Sequence, residues 1–499
     1  MNRLYFGTDG VRGPYGGPLV NEACFARLAA AAGLWVRAQP DFNRTQRDGP
    51  PGPESLKVLI GRDTRASGPP LLRAVAAGLQ VAELEPVDLG VLPTPAVAWA
   101  VQTTGAALGV VITASHNPAG DNGLKFFTRG GLKLSDRDEA WIERWMKIPM
   151  EVSPAPVDLA DATQDMANEY LAAMVRRFSP HAFKGWPLVL DTANGATRHT
   201  SRTALENLGT EVTAIGTEDY NVNQWGMEGL LTSARFAEIP PDVQITMRAS
   251  LAANLAGSKI NADVGSEHPE KMAELVRSSG ARLGIAHDGD GDRCVLCDEK
   301  GEILDGDEIL TLLAVDALRA GRLAADTLVV TVQSNLGVDA ALAAAGGRVV
   351  RTPVGDRHVA ERMRAEGATL GGESSGHIIC SDISPTGDGL VAALRVMEVM
   401  RATGRPLSEL RRALTKFPQA NATLTTREKP PLETLTALTA AMRALELEMG
   451  ARGRVLVRWS GTEPKLRLLV EGPDEAVVRA GLDRLMAAAK AGLSLSGEG

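Results

Sequence analysis

Four short polar segments of this chain carry residue types that do chemistry. Thr113-Ala-Ser-His-Asn-Pro118 offers a hydroxyl beside an imidazole, and Asp288-Gly-Asp-Gly-Asp-Arg293 offers three carboxylates at alternate positions. Gly372-Glu-Ser-Ser-Gly-His377 is a polar turn, and Arg458-Trp-Ser-Gly-Thr-Glu-Pro464 sets a cation among hydroxyls. Three carboxylates this close repel one another unless a cation neutralises them, and glycines between them let the backbone fold around an ion. We read Asp288, Asp290 and Asp292 as ligands of one Mg2+, with a phosphate oxygen completing its shell. Glu299 stands where a calcium-binding EF-hand has its last ligand, but that loop needs glycine at its sixth position, which is Arg293 here.

Ser115 follows the apolar run Gly109-Val-Val-Ile-Thr113 and precedes Pro118, a pattern that predicts a fixed loop. His116 is the adjacent catalytic candidate. Neighbouring side chains of a strand-like segment point apart, so a Ser115–His116 nucleophile–base pair is not expected. A phosphorylated Ser115, by contrast, carries a charge of roughly −1.5 to −2 and strong acceptor oxygens, and would supply the missing metal ligand. Gly372 to Gly376 matches the hydrolase elbow G-x-S-x-G, but that elbow turns into a helix and its histidine lies far downstream. Here the strand-like Ile378-Ile-Cys380 follows, and His377 is too near. Glu373 and Ser375 instead suit the vicinal hydroxyls of a sugar, with His377 as a proton carrier beside them. Arg458, Ser460, Gly461, Thr462 and Arg467 suit a phosphate that is held rather than transferred; the plain alternative is a hairpin turn with scattered charges. Arg12 and Lys125 are further cations in glycine-rich turns. Cys294-x-x-Cys297 lacks a second pair for zinc, and its side chains would face opposite sides of a strand, which predicts packing.

The elements that must position these segments alternate in type. Val58–Ile60, Gly109–Thr113, Leu188–Leu190, Leu283–Ala286, Leu328–Val332 and Val455–Val457 read as buried strands. Leu71–Glu83, Ile309–Ala320 and Gly389–Arg401 read as helices. Such alternation predicts α/β layers, in which ligands sit beyond the carboxyl ends of strands; all four polar segments fall there. The 499 residues suggest several domains. A net charge of −8 argues against nucleic acid as a partner, though local cations can still hold an anion. The amino terminus has no signal-like apolar core and no run reaches membrane-spanning length, so a cytoplasmic protein without a membrane partner is expected. Four cysteines do not suggest a disulfide framework.

With these residues in view, the chain resembles the α-D-phosphohexomutases nearly end to end. The resemblance rests on Tyr5 to Gly13, Ala114 to Pro118 with Asp121 to Phe127, Asp288 to Arg293, Gly355-Asp-Arg357, Gly372 to His377, and Ser460 to Pro464 ending in Glu471-Gly472. It implies four domains: three similar α/β domains with mixed sheets and a smaller α+β carboxyl-terminal domain. We place them at 1–158, 159–280 with an apparent insertion at 224–259, 281–402, and 403–499. It implies that Ser115 carries a phosphoryl group as phosphoserine and joins Asp288, Asp290 and Asp292 around one Mg2+. Arg12, Lys125 and His377 then stand near the transferring group, with Arg293 as an aid. Glu373, Ser375 and Arg357 bind the sugar, and Arg458, Ser460, Gly461, Thr462 and Arg467 grip its resting phosphate. The implied reaction interconverts glucosamine 6-phosphate and glucosamine 1-phosphate through a bisphosphorylated sugar, in a monomer or homodimer. Ser374, where amino-sugar enzymes usually carry Gln or Asn, leaves glucose and mannose phosphates as alternatives. An inactive phosphosugar-binding scaffold is the alternative from another class.

Overall fold

The computed structural model describes residues 4–7, 9–39, 56–150, 152, 157, 159–217, 259–460 and 464–493. The expected insertion at 224–259 therefore lies outside the described residues except for Lys259, as do Gly461 and Thr462. The described chain forms four sheets. The first has six strands in the order Val11–Pro14, Asp121–Thr128, Leu108–Ile112, Lys57–Arg62, Glu85–Val91 and Ala160–Asp161. Its centre is parallel, and Asp121–Thr128 runs antiparallel to the strands beside it. Leu108–Ile112 is buried along its whole length, which is why it reads as an unbroken apolar run.

The second sheet orders Ile303–Leu304, Cys294–Asp298, Leu283–His287, Pro187–Asp191 and Glu211–Ile215. This corrects the boundary drawn at 280. Leu283–His287 pairs in parallel with Pro187–Asp191, so the aspartate loop belongs to the second unit, not the third. Cys294 and Cys297 are buried in different apolar clusters, as packing residues on the two faces of one strand. The third sheet, Arg348–Thr352, Thr327–Thr331, Leu370–Gly372 and Ile378–Cys380, is also mixed. The boundary drawn at 402 also falls early. Arg411 reaches back to Glu308 and Asp298, and the fourth sheet starts only at Gln419.

The fourth sheet has three antiparallel strands, Gln419–Thr425, Lys465–Glu471 and Arg454–Trp459, under the helices Thr436–Met449 and Glu475–Gly492. Residues from the first three sheets, among them Phe127, Leu190, Ile285 and Val330, share one continuous apolar cluster. The fourth sheet has a cluster of its own around Leu438, Leu466 and Leu485. Local signals set the helices. Asp305 caps Gly306–Arg319 reciprocally with Glu308, and Ser135 does the same for Asp136–Trp145 with Asp138. No helix among the described residues is long and apolar enough to cross a membrane.

Candidate active site

Ser115 stands just past the end of Leu108–Ile112, almost fully buried. Its φ of +51° is left-handed, a conformation that a non-glycine residue keeps only when its surroundings impose it. That turn breaks the strand geometry assumed from sequence. It brings His116 Nδ1 to 3.3 Å from Ser115 Oγ, correcting the expectation that the two side chains diverge. His116 is held neutral, its pKa pushed down to about 3 by burial and by Arg293 and Arg12.

Ser115 Oγ donates a hydrogen bond to Asp288 Oδ2 at 2.6 Å, across 173 residues of sequence. Gly289 permits this approach, because a Cβ there would sit 2.7 Å from the Ser115 carbonyl oxygen. Gly291, at φ +74°, then turns the chain so that Asp290 and Asp292 face the same side. The three aspartates each present an oxygen within 4.8 Å of the others, and all are buried. Asp290 Oδ2 accepts from Thr94 Oγ1 at 2.6 Å and from Lys125 Nζ at 2.8 Å, and Asp292 Oδ2 accepts from Lys125 at 2.8 Å. Asp290 Oδ1 and Asp292 Oδ1 are buried and accept no hydrogen bond within 3.5 Å from the described residues. Burial and repulsion from Asp290 and Asp292 push the Asp288 carboxyl well above its usual range. Clustered buried carboxylates with unbonded oxygens fit a hard divalent cation.

The cations expected nearby join a closed circuit of alternating charge. Lys125 pairs with Asp292, Asp290 and Asp9; Asp9 pairs with Lys133 and Arg12; Lys133 pairs with Asp356. His377 closes the circuit, with Nε2 3.1 Å from Asp356 and Nδ1 3.6 Å from Asp292. Burial works against its charge, but Asp356 and Asp292 outweigh burial and raise its pKa to about 10. It is thus a held cation in this arrangement. Asp9, Lys133 and Asp356 were not foreseen, since isolated charges in two loops and at the start of the helix Asp356–Glu366 give no sign that they meet.

Glu373 follows Leu370–Gly372, and the chain doubles back at Gly376 into Ile378–Cys380. This strand-to-strand turn is not a hydrolase elbow, in line with the sequence. Cys294 N donates to the Gly376 carbonyl, and Arg293 bridges to His377, so the turn is fastened to the aspartate loop. Glu373 Oε1 accepts from Gly355 N at 3.0 Å, and Ser375 is exposed. Arg357 departs from expectation. Its guanidinium lies 2.6 Å from Asp136 and 2.9 Å from Glu139, buried against the first unit, so it braces two units instead of facing a ligand.

Arg458 and Arg467 sit opposite one another on paired strands. Burial and repulsion from Arg467 lower the Arg458 pKa, while Glu373 is close enough to oppose that fall. The buried Ser460 offers its carbonyl to Lys429 Nζ at 2.8 Å, a third cation that the sequence did not single out. Arg65 was also missed: its guanidinium holds four carbonyls of the Ser115 loop. Its signal was available, since Arg62-Asp-Thr-Arg65 ends a buried parallel strand, where α/β folds place ligand chemistry.

Models of the phosphoglucomutase/phosphomannomutase family match this chain: α/β/α domain I at 3–151, α/β/α domain III at 305–417, and the carboxyl-terminal domain at 420–488. The chain is similar to a protein named phosphoglucosamine mutase from Moorella thermoacetica, 41% identical over 97% of this chain and 99% of the relative. A protein of the same name from Frankia casuarinae is 40% identical over 99% of both chains. Among solved structures, a phosphoglucomutase/phosphomannomutase family protein from Burkholderia thailandensis has a TM-score of 0.73 at 23% identity, covering 98% of each chain. An Aspergillus fumigatus N-acetylphosphoglucosamine mutase, solved with GlcNAc-6P and magnesium, has a TM-score of 0.61 at 18% identity, covering 98% of this chain and 96% of that one. The chain belongs to the phosphoglucomutase/phosphomannomutase family, the α-D-phosphohexomutases.

Proposed function

We propose that this chain is a phosphoglucosamine mutase, interconverting glucosamine 6-phosphate and glucosamine 1-phosphate with Ser115 as phosphoryl carrier. The 2.6 Å contact between Ser115 Oγ and Asp288 carries the proposal. The names of relatives about 40% identical along the whole chain support the amino sugar. Asp288, Asp290 and Asp292 would hold one Mg2+, which when bound neutralises charge on the transferring phosphoryl group. We read the four units as divided near residues 161, 304 and 417, in line with the sheets, the first of which takes in Ala160–Asp161, and with domain models beginning at 305 and 420. A cytoplasmic location and a free phosphosugar as partner belong to the same proposal.

In the forward direction, O1 or O6 of the sugar attacks phosphorus on phosphorylated Ser115. A phosphorus–oxygen bond to the sugar forms, the bond to Oγ breaks, the proton of the sugar hydroxyl ends on the freed Oγ, and a bisphosphorylated sugar results. That sugar turns end for end in the cleft. Ser115 Oγ then attacks the opposite phosphoryl group; the bond from phosphorus to the sugar oxygen breaks, that oxygen takes up the proton Oγ loses, and the carrier is restored with the isomer left. His116 Nδ1, 3.3 Å away, keeps a neutral imidazole beside the attacking Oγ. Lys125, Arg12, Arg293 and His377 supply fixed positive charge around the reacting group. Glu373 and Ser375 hold sugar hydroxyls, while Arg458, Arg467 and Ser460, with Gly461 and Thr462, grip the resting phosphate. Its separate core lets the fourth unit loosen around the turning sugar without disturbing the other three.

Phosphorus NMR of the protein with glucosamine 6-phosphate, Mg2+ and a trace of sugar bisphosphate tests this directly. A growing glucosamine 1-phosphate signal is expected. Faster turnover of glucose or mannose 6-phosphate would reassign the sugar. No isomerisation of any of the three would leave a binding scaffold.

A further inference from the structure

We propose that Arg65 is a positioning residue for phosphoryl transfer, fixing the backbone of the Ser115 loop so that Oγ meets the aspartates. The proposal rests on Ser115 being the phosphoryl carrier. Arg65 lies just beyond the strand Lys57–Arg62, its side chain wholly buried. All five guanidinium N–H donors are used. Nε donates to Asp63 Oδ2 at 2.9 Å. Nη1 donates to the carbonyls of Pro118 and Asp121, the latter at 2.8 Å. Nη2 donates to the carbonyls of Ser115 at 3.0 Å and Asn117 at 2.7 Å. Four carbonyls of residues 115–121 thus converge on one cation.

A loop held this way cannot slide without stranding buried polar groups. Lysine, with three donors on a flexible stem, does not reproduce a planar five-donor fork. The same side chain helps to hold Ser115 at its left-handed φ. Asp63 Oδ2 accepts from Arg65 and from Thr113 Oγ1, the latter at 2.6 Å, and Thr113 Oγ1 accepts from Ser115 N at 2.8 Å. From the second unit, Asn261 Nδ2 donates to the carbonyls of Ser115 at 2.8 Å and Asn117 at 3.1 Å. No hydrogen bond joins the Arg65 guanidinium to the three metal-site aspartates or to the sugar turn, so its loss acts through the position of the serine. Misplacement of a reacting atom by an ångström costs about 100-fold in rate, while sugar binding through Glu373 and Arg458 is unaffected.

The test compares full-length wild type with R65K, R65A and N261A. Turnover of glucosamine 6-phosphate with Mg2+ gives kcat and KM. Intact mass after mixing with glucosamine 1,6-bisphosphate gives the rate of Ser115 phosphorylation. In R65A we expect kcat and phosphorylation to fall about 100-fold with KM within about threefold, R65K to fall less, and N261A to fall about 10-fold. Millimolar guanidinium ion should restore part of the R65A rate, which it cannot do for a protein that has simply unfolded. If R65A does not fold, the kcat-only loss in R65K and N261A carries the test. R65A within threefold of wild type in both rates, or R65K and N261A at wild-type kcat, overturns the positioning role. Wild type that carries no phosphoryl mass either before or after mixing sinks the carrier reading instead, which separates the two failures.

Discussion

The two ends of the site are built on opposite plans. Around Ser115, charge is buried and every cation is answered: Lys125 touches three aspartates, and Lys133 and His377 each touch two. Around Arg458 and Arg467, two guanidinium groups face each other across a small sheet, one half-buried and one exposed. The first end must hold reacting atoms in place while charge develops, so a buried network of paired charges suits it. The second must grip a phosphate, release it and grip another, so spare positive charge near water suits it better. The shared apolar core under the first three sheets and the separate core of the fourth repeat this contrast at larger scale.

Substitutions break the comparison most sharply at the buried end. Ser115→Ala should lower turnover by about 10,000-fold or more with the fold intact, because the oxygen that carries the phosphoryl group is gone. Isomerisation followed by phosphorus NMR, together with circular dichroism, checks both halves of that expectation, and near-normal turnover would remove the covalent carrier. Asp290→Asn should cost roughly 1,000-fold and abolish the dependence of rate on added Mg2+. An unchanged metal titration would contradict the ligand set.

At the open end, Arg458→Ala should raise KM about 10- to 100-fold, with kcat changed much less. The variant should melt no lower than wild type, since removing one of two facing like charges relieves repulsion. A loss confined to kcat would mean that both ends work alike.

The smallest effect concerns the scaffold beneath the buried end. Asp388 caps the helix Gly389–Thr403, accepts from Tyr170 Oη at 2.9 Å, and has its carboxyl pushed up to about 6 by burial. A raised carboxyl pKa means that the folded state keeps the proton longer than the unfolded chain. The resulting stability is present below pH ~4 and is lost as pH rises through ~6. Asp388→Asn keeps the cap and cannot ionise, so its melting temperature relative to wild type should rise by about 2–4 °C between pH 4.5 and 7.5. A constant offset would mean that the carboxyl titrates normally.

Much of the site could be read from the chain because chemistry-bearing residues cluster locally. Asp288, Asp290 and Asp292 share one turn, and each polar segment follows a recognisable strand. Residues acting through long-range contact could not be read this way. Arg65 meets carbonyls about fifty residues onward, and Lys133 meets Asp356 from another unit. Arg357 looked like a ligand residue because its motif is polar, yet tertiary contact commits it to Asp136 and Glu139.

Local order along the chain determined the strands, the helices and the four reactive turns, since hydrophobic period, glycine and capping residues act over a few positions. Tertiary structure decided which sheet owns the aspartate loop, because strand pairing between Leu283–His287 and Pro187–Asp191 spans a distance that no local pattern encodes. It also decided that Ser115 turns left-handed toward Asp288 and His116. That conformation is held by a local bond from Ser115 N to Thr113 Oγ1 and by buried hydrogen bonds from Arg65 and Asn261, and the latter two exist only once separate parts of the chain have packed together.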